Sequence, residues 1–144
     1  MKKPNRKRSP LPDVTVLGAF RPIAAFCGFL ITVVARVFLG MISSRFLPDT
    51  TYEEDYPLAV TVHSLHLALG CVGGFVGGYA TAWLAGEWKL IHAAVAAVSF
   101  ILLAAGAPIT PGAPEWDRFI TPALPAVAAL LGAWVEQRFS PQDY

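Results

Sequence analysis

Charge is scarce in this chain, and its distribution matters more than its amount. From residue 56 to residue 86 there is no Asp, Glu, Lys or Arg in 31 consecutive positions. Further uncharged blocks occupy 22–35, 90–114 and 119–135, and only Arg36 separates the first of these from Arg45. Charged residues make up 15% of the chain against 55% hydrophobic, with a mean hydropathy of +0.52; soluble domains carry about 25% charge. A water-soluble four-helix protein needs a polar face on each helix, and 65–84 and 93–107 offer none. The uncharged blocks do not alternate apolar with polar residues, which argues against a membrane β-barrel.

Other absences narrow the function. There are two cysteines, Cys27 and Cys71; they fall at different depths of the expected spans, which argues against a disulfide and leaves two thiols acting as small hydrophobes. No HExxH is present, and Ser43, Ser44, Ser64 and Ser99 lack the setting of a nucleophile elbow. No repeat of 20–50 residues stands out, and the halves 1–86 and 87–144 do not align as an inverted-repeat transporter would. The expectation is a non-enzymatic protein with no catalytic residues, no cofactor and no metal.

Lone strands cannot satisfy their backbone groups in lipid, so four uncharged blocks of roughly spanning length imply an all-α integral membrane four-helix bundle. The helices are expected at 22–45, 57–86, 88–107 and 121–138, making one transmembrane domain over 14–140. Pro22, Pro57 and Pro122 suit first helical positions, where the missing N–H costs nothing, and Thr121 suits the N-cap of the last helix. Pro125, in the early turns of that helix, implies a mild bend. The second span exceeds what a bilayer requires, so it tilts or protrudes.

The basic residues set an orientation. Lys2, Lys3, Arg6, Lys7 and Arg8 crowd a proline-containing N-terminal stretch, 1–13, whose composition suits a disordered tail. The connector 46–56 is acidic, with Asp49, Glu53, Glu54 and Asp55. Lys and Arg near span ends stay cytoplasmic, which places both termini and the turn 87–89 in the cytoplasm. Eight Lys/Arg then lie inside, two outside, and Arg36 within the bilayer. Tyr52, Tyr56 and Trp116 would mark the outer interface and Trp83, Trp88 and Trp134 the inner one. The tail reads as a topogenic signal and a contact for anionic lipids. It does not read as a nucleic-acid site, because five charges without a folded module carry little specificity. The acidic connector reads as a solvated link, or as a site for a cation or basic partner without a calcium-loop pattern.

Two constellations remain. Gly70, Gly74, Gly78, Ala82 and Gly86 form one row at four-residue spacing, and Gly73, Gly77, Thr81 and Ala85 form its neighbour. Small-residue rows let helices in lipid approach backbone to backbone; the expected faces opposite are Ala93/Ala97 and Ala128/Gly132. The alternative is that part of the ladder faces outward, toward a second copy or another membrane protein. The second constellation is Arg36, His63 and His66. The histidines are three apart and share a helix face, at the depth of Arg36, and ionisable residues inside spans face the bundle interior or a wet cavity. They are the candidate ligand site. The alternative has Arg36 reaching outer headgroups or pairing with Asp49 or Glu53. His92 lies too far away to join them, and two histidines are too few for zinc.

The stretch GGFVGGYATAWLA at 73–85, with His92 beyond the turn, Glu115-Trp116 and the LGAW of 131–134, resembles a pattern in small four-span bacterial inner-membrane proteins of uncharacterised role. The resemblance covers the C-terminal two-thirds and implies a bacterial cytoplasmic-membrane setting without implying an activity. Two functional readings follow: a structural or accessory membrane component, or a small transporter or sensor built on Arg36, His63 and His66.

Overall fold

The computed structural model describes residues 21–46, 54–106 and 112–140. These form four helices and no strand: α1 (Pro22–Phe46), α2 (Tyr56–Ala85), α3 (Lys89–Ala105) and α4 (Asp117–Phe139). Pro22 opens α1 as its fixed φ allows. The Asp55 side chain caps α2 by accepting from the Leu58 N–H at 3.1 Å, with Pro57 in the first turn. Helix α2 stops one residue short of Gly86, whose φ of +71° breaks the helical path. Gly86 therefore caps α2 and is not part of the ladder. Trp88 follows in the left-handed region, completing a turn that makes α2 and α3 a hairpin.

Helix α4 departs furthest from expectation. It begins at Asp117, four residues ahead of 121, so Thr121 is not its N-cap and Pro122 lies inside the helix. The Thr121 hydroxyl instead donates to the Asp117 carboxylate one turn earlier, at 2.6 Å. Both prolines are buried, and Pro125 packs against Gly70 and Gly74 of α2.

Contacts along the helices fix their directions. Gly28 meets Thr81, Ala35 meets Gly73 and Ser43 meets His66, so α1 and α2 are antiparallel. His63 meets Asp117, Gly70 and Gly74 meet Pro125, and Gly78 meets Ala129, so α2 and α4 are parallel. Arg21 bonds His92, and Arg36 lies over Phe100, so α3 runs beside α1 in the same direction. The start of α1 and the end of α4 consequently share one end of the bundle with the α2–α3 turn, here the Trp88 end. Trp83, Trp88 and Trp134 are exposed there, and Tyr56 and Trp116 are exposed at the other, the Tyr56 end. Helix α2 packs against all three others, whereas the backbones of α1 and α4 do not approach each other closely.

The bundle is inverted relative to a water-soluble one. Its buried apolar residues are almost all alanines, with Phe100 the one large side chain among them. Ile23, Phe26, Val34, Phe38, Met41, Val72, Trp83, Leu102 and Leu131 point outward. Helices α1, α2 and α4 are long and apolar enough to cross a membrane, yet only 17%, 22% and 39% of their most apolar windows are buried inside the protein. Water would not tolerate that surface; lipid, as apolar as leucine itself, does. Helix α3 is apolar but has 17 residues, about 25 Å, a little less than a hydrocarbon core.

Close approach, not bulk, holds the helices together. A Cβ added at Gly74 would meet the Pro125 carbonyl oxygen, and one at Gly78 that of Ala129. In the neighbouring row, a Cβ at Gly77 would strike the Thr32 hydroxyl, and one at Gly73 would sit 3.3 Å from the Ala35 Cβ. One row thus seats α4 and the other seats α1, both within the chain. The α4 face differs by one residue from expectation: Ala129 and Gly132, not Ala128, meet α2. The expected α3 contribution is met by Ala93, which clusters with Ala82 and Ala133. Cys27 and Cys71 are free thiols.

Candidate functional site: a crevice at the Tyr56 end

The four helices do not end at one level. Helix α3 finishes at Ala105 and α4 begins at Asp117, while α2 continues to Tyr56, so the packing that closes the bundle's middle is lost at this end. Because the backbones of α1 and α4 stay apart among the described residues, a partly open crevice of about 500 Å³ remains between the helices. That volume lies within the range of small-molecule sites. Arg36 of α1, His63 and His66 of α2, and Asp117, Arg118 and Thr121 of α4 all line it. The three residues singled out from the sequence therefore share one cavity, although each is held by a different neighbour.

His63 Nε2 stands 2.6 Å from Asp117 Oδ1 and 3.3 Å from Thr121 Oγ1. Asp117 is buried, and it accepts from the Thr121 hydroxyl as well. One carboxylate thus gathers an imidazole and a hydroxyl, which is how a buried anion is made tolerable. His66 Nδ1 donates to the Val62 carbonyl at 3.0 Å, leaving Nε2 facing Ser43 Oγ at 2.6 Å. The Ser43 hydroxyl also lies 2.9 Å from the Gly40 carbonyl. With the ring proton on Nδ1, Nε2 of the neutral ring can only accept, so the one Ser43 hydrogen serves either His66 or the Gly40 carbonyl.

Arg36 stacks its guanidinium 5.3 Å from the centre of the Phe100 ring, a cation–π contact. Among the described residues two ion pairs form, His63–Asp117 and Lys89–Glu136, and neither includes Arg36. Asp49 and Glu53, the carboxylates considered for it from the sequence, lie outside the described residues, as do the basic tail and Tyr52. Pro122 and Pro125 lack the N–H groups that would bond the carbonyls of Arg118 and Thr121 one turn earlier, so the wall of α4 also gives up two helical hydrogen bonds beside the crevice.

The Trp88 end is built differently. Lys89 Nζ lies 2.7 Å from Glu136 Oε2, with Glu136 only 2% exposed. His92 is fully buried; its Nε2 accepts the Arg21 backbone N–H at 2.7 Å, so its Nδ1 carries the proton donated to the Trp88 carbonyl at 3.0 Å. These bonds tie the chain entry and the hairpin turn together, far from the crevice, as expected for His92. Among the described residues no group of three or more His, Cys, Asp or Glu is placed to hold a metal.

Arg36, His63 and His66, singled out from the sequence, line this cavity together with Asp117 and Thr121, and Ser43 meets His66; the sequence did not single out these last three as site residues. Asp117 lies four residues before the expected start of the last helix, and the signal that could have found it is Thr121, one helical turn away. Comparison with protein-family models, with curated proteins and with solved structures finds no match to the chain.

Proposed function

We propose that this integral membrane protein binds a small anionic ligand in the crevice at the Tyr56 end, as a sensor or binding component and not as an enzyme. The observation that carries the reading is a charge balance. Among the described residues two arginines, Arg36 and Arg118, line the cavity with one carboxylate, and that carboxylate is already engaged by His63 and Thr121. A guanidinium in an apolar setting that has no carboxylate partner among the described residues favours an anion supplied from outside. The Trp88 end, filled by the Lys89–Glu136 pair and His92, supports a site open at one end over a conduit.

The charge distribution supports a bacterial cytoplasmic membrane with both termini in the cytoplasm, the crevice opening outward, and the basic tail resting on anionic lipids. The competing reading, an accessory subunit docking through spare glycine surface, is weakened because both rows of the ladder are occupied by α1 and α4.

The test is thermal stability of the purified full-length protein in detergent, titrated with phenyl phosphate or with phenyltrimethylammonium. A ligand at a hundred times its Kd stabilises by about 2.7 kcal/mol. Stabilisation by phenyl phosphate alone, lost in Arg36→Gln, is the expected result. Preference for the cation, or an unchanged response in Arg36→Gln, refutes the proposal.

A further inference from the structure

The crevice has a feature that a site for a soluble anion does not need. Its charged residues form only part of the lining; Val33, Val37, Leu67, Phe100 and Leu103 make an apolar strip. Val37 and Leu103 line the cavity and are also 57% and 55% exposed. They therefore form a rim between the cavity and the outer apolar surface of the bundle, the surface that meets lipid tails. Gly40, on the same face of α1 as Arg36 and also in the lining, would find nothing within 4 Å of an added Cβ. The other described glycines inside α1 and α2 all bring an added Cβ to a neighbouring helix, Gly70 at an ordinary 3.5 Å contact and the rest more tightly. At Gly40 the missing side chain keeps cavity space open, whereas at the others it permits helix contact.

We infer that the ligand is a membrane-resident anionic amphiphile with a single aliphatic chain. Its head sits beside Arg36 and Arg118, and its chain lies along the apolar strip and leaves across the Val37/Leu103 rim into the bilayer. The inference rests on the anion site proposed above and adds the chain and the direction of entry. Charge complementarity selects the head: Arg36 and Arg118 both line a cavity whose single carboxylate among the described residues is already held. The rim selects the source, since apolar residues shared between a cavity and a lipid-facing surface give a tail no polar barrier to cross. A chain already in lipid gains little hydrophobic energy on entering. Selectivity therefore comes from the head together with the room for one chain, not from chain length.

The experiment uses the full-length protein in lipid nanodiscs and measures saturable binding of radiolabelled dodecyl phosphate, with inorganic phosphate, dodecanol and a two-chain phosphatidic acid as competitors. One dodecyl phosphate per protein is expected. Inorganic phosphate should compete only at concentrations at least a hundredfold higher, and dodecanol and phosphatidic acid not at all over the same range. Gly40→Leu, which fills open space, and Val37→Trp, which narrows the rim, should each weaken binding at least tenfold without lowering thermal stability. Inorganic phosphate competing as well as dodecyl phosphate, or unchanged binding in both variants, overturns the amphiphile and leaves the anion site standing. Effective competition by phosphatidic acid overturns the single chain. Dodecanol competing equally, or no saturable binding by any anion, removes the anion site itself.

Discussion

Gly78→Ala adds one carbon, and the structure says where that carbon goes. It would lie inside contact distance of the Ala129 carbonyl oxygen and 2.6 Å from the Ala129 Cα. These are backbone atoms of a packed helix, so no side chain can turn aside. Restoring ordinary contact pushes α4 away from α2 by about 1 Å, a gap that forfeits a quarter to a half of each dispersion contact along the seam. In lipid those contacts carry most of the association. Overpacking a rigid interior costs about 1–3 kcal/mol, and a backbone obstacle places Gly78→Ala near the upper end, on the order of a hundredfold in the folding equilibrium. Two controls share its chemistry. A Cβ at Gly70 makes an ordinary 3.5 Å contact with Pro125, and one at Gly40 meets nothing. Both should be neutral or slightly stabilising, because alanine is the better helix former by up to about 1 kcal/mol. Reversible unfolding in mixed micelles, followed by helix content and tryptophan fluorescence, reads all three. Equal effects at Gly78 and Gly70 would show that the α2–α4 contact is not the one described.

Bulk in the same seam should discriminate further: Gly74→Leu should disrupt the bundle, while Leu65→Ala, at an outward position, should change stability little, and comparable losses would contradict the packing. At the Trp88 end, Lys89→Met or Glu136→Gln alone should destabilise by about 3–5 kcal/mol, whereas the double variant Lys89→Met/Glu136→Met should recover much of that loss. Additive single effects, measured by the same unfolding assay, would mean that the two residues do not act as a pair. Asp117→Asn removes the one carboxylate among the described residues of the crevice, so it should tighten phenyl phosphate binding several-fold, and weaker binding would show that Asp117 orients His63 for the ligand.

The helices were legible because membrane spans announce themselves by missing charge, and residues 56–86 leave no other reading. The glycine rows were legible because a four-residue spacing on one helix is local information. The face of α4 was not: alanines at 123, 126, 128, 129 and 133 surround that helix, so choosing Ala128 over Ala129 misplaces the contact by about 100° of rotation. The start of α4 was hidden for a related reason. Asp117 looks like the edge of a span until His63, 54 residues earlier, is seen beside it. The pairing of Ser43 with His66 and the stacking of Arg36 on Phe100 are likewise contacts between helices, which no local pattern records. The crevice itself follows from unequal helix lengths and from the separation of α1 and α4, and both emerge only on assembly.

The measurement that bears most directly on the account maps compartment along the chain, with paired reporters fused after residues 20, 87, 112 and 140. The central claim is a lipid-embedded bundle in which α3 crosses despite its 17 residues, so fusions at 20, 87 and 140 should report one side and the fusion at 112 the other. If 87 and 112 report the same side, α3 does not traverse the bilayer; if 20 and 140 report opposite sides, the number of crossings is odd; either result contradicts the architecture described here.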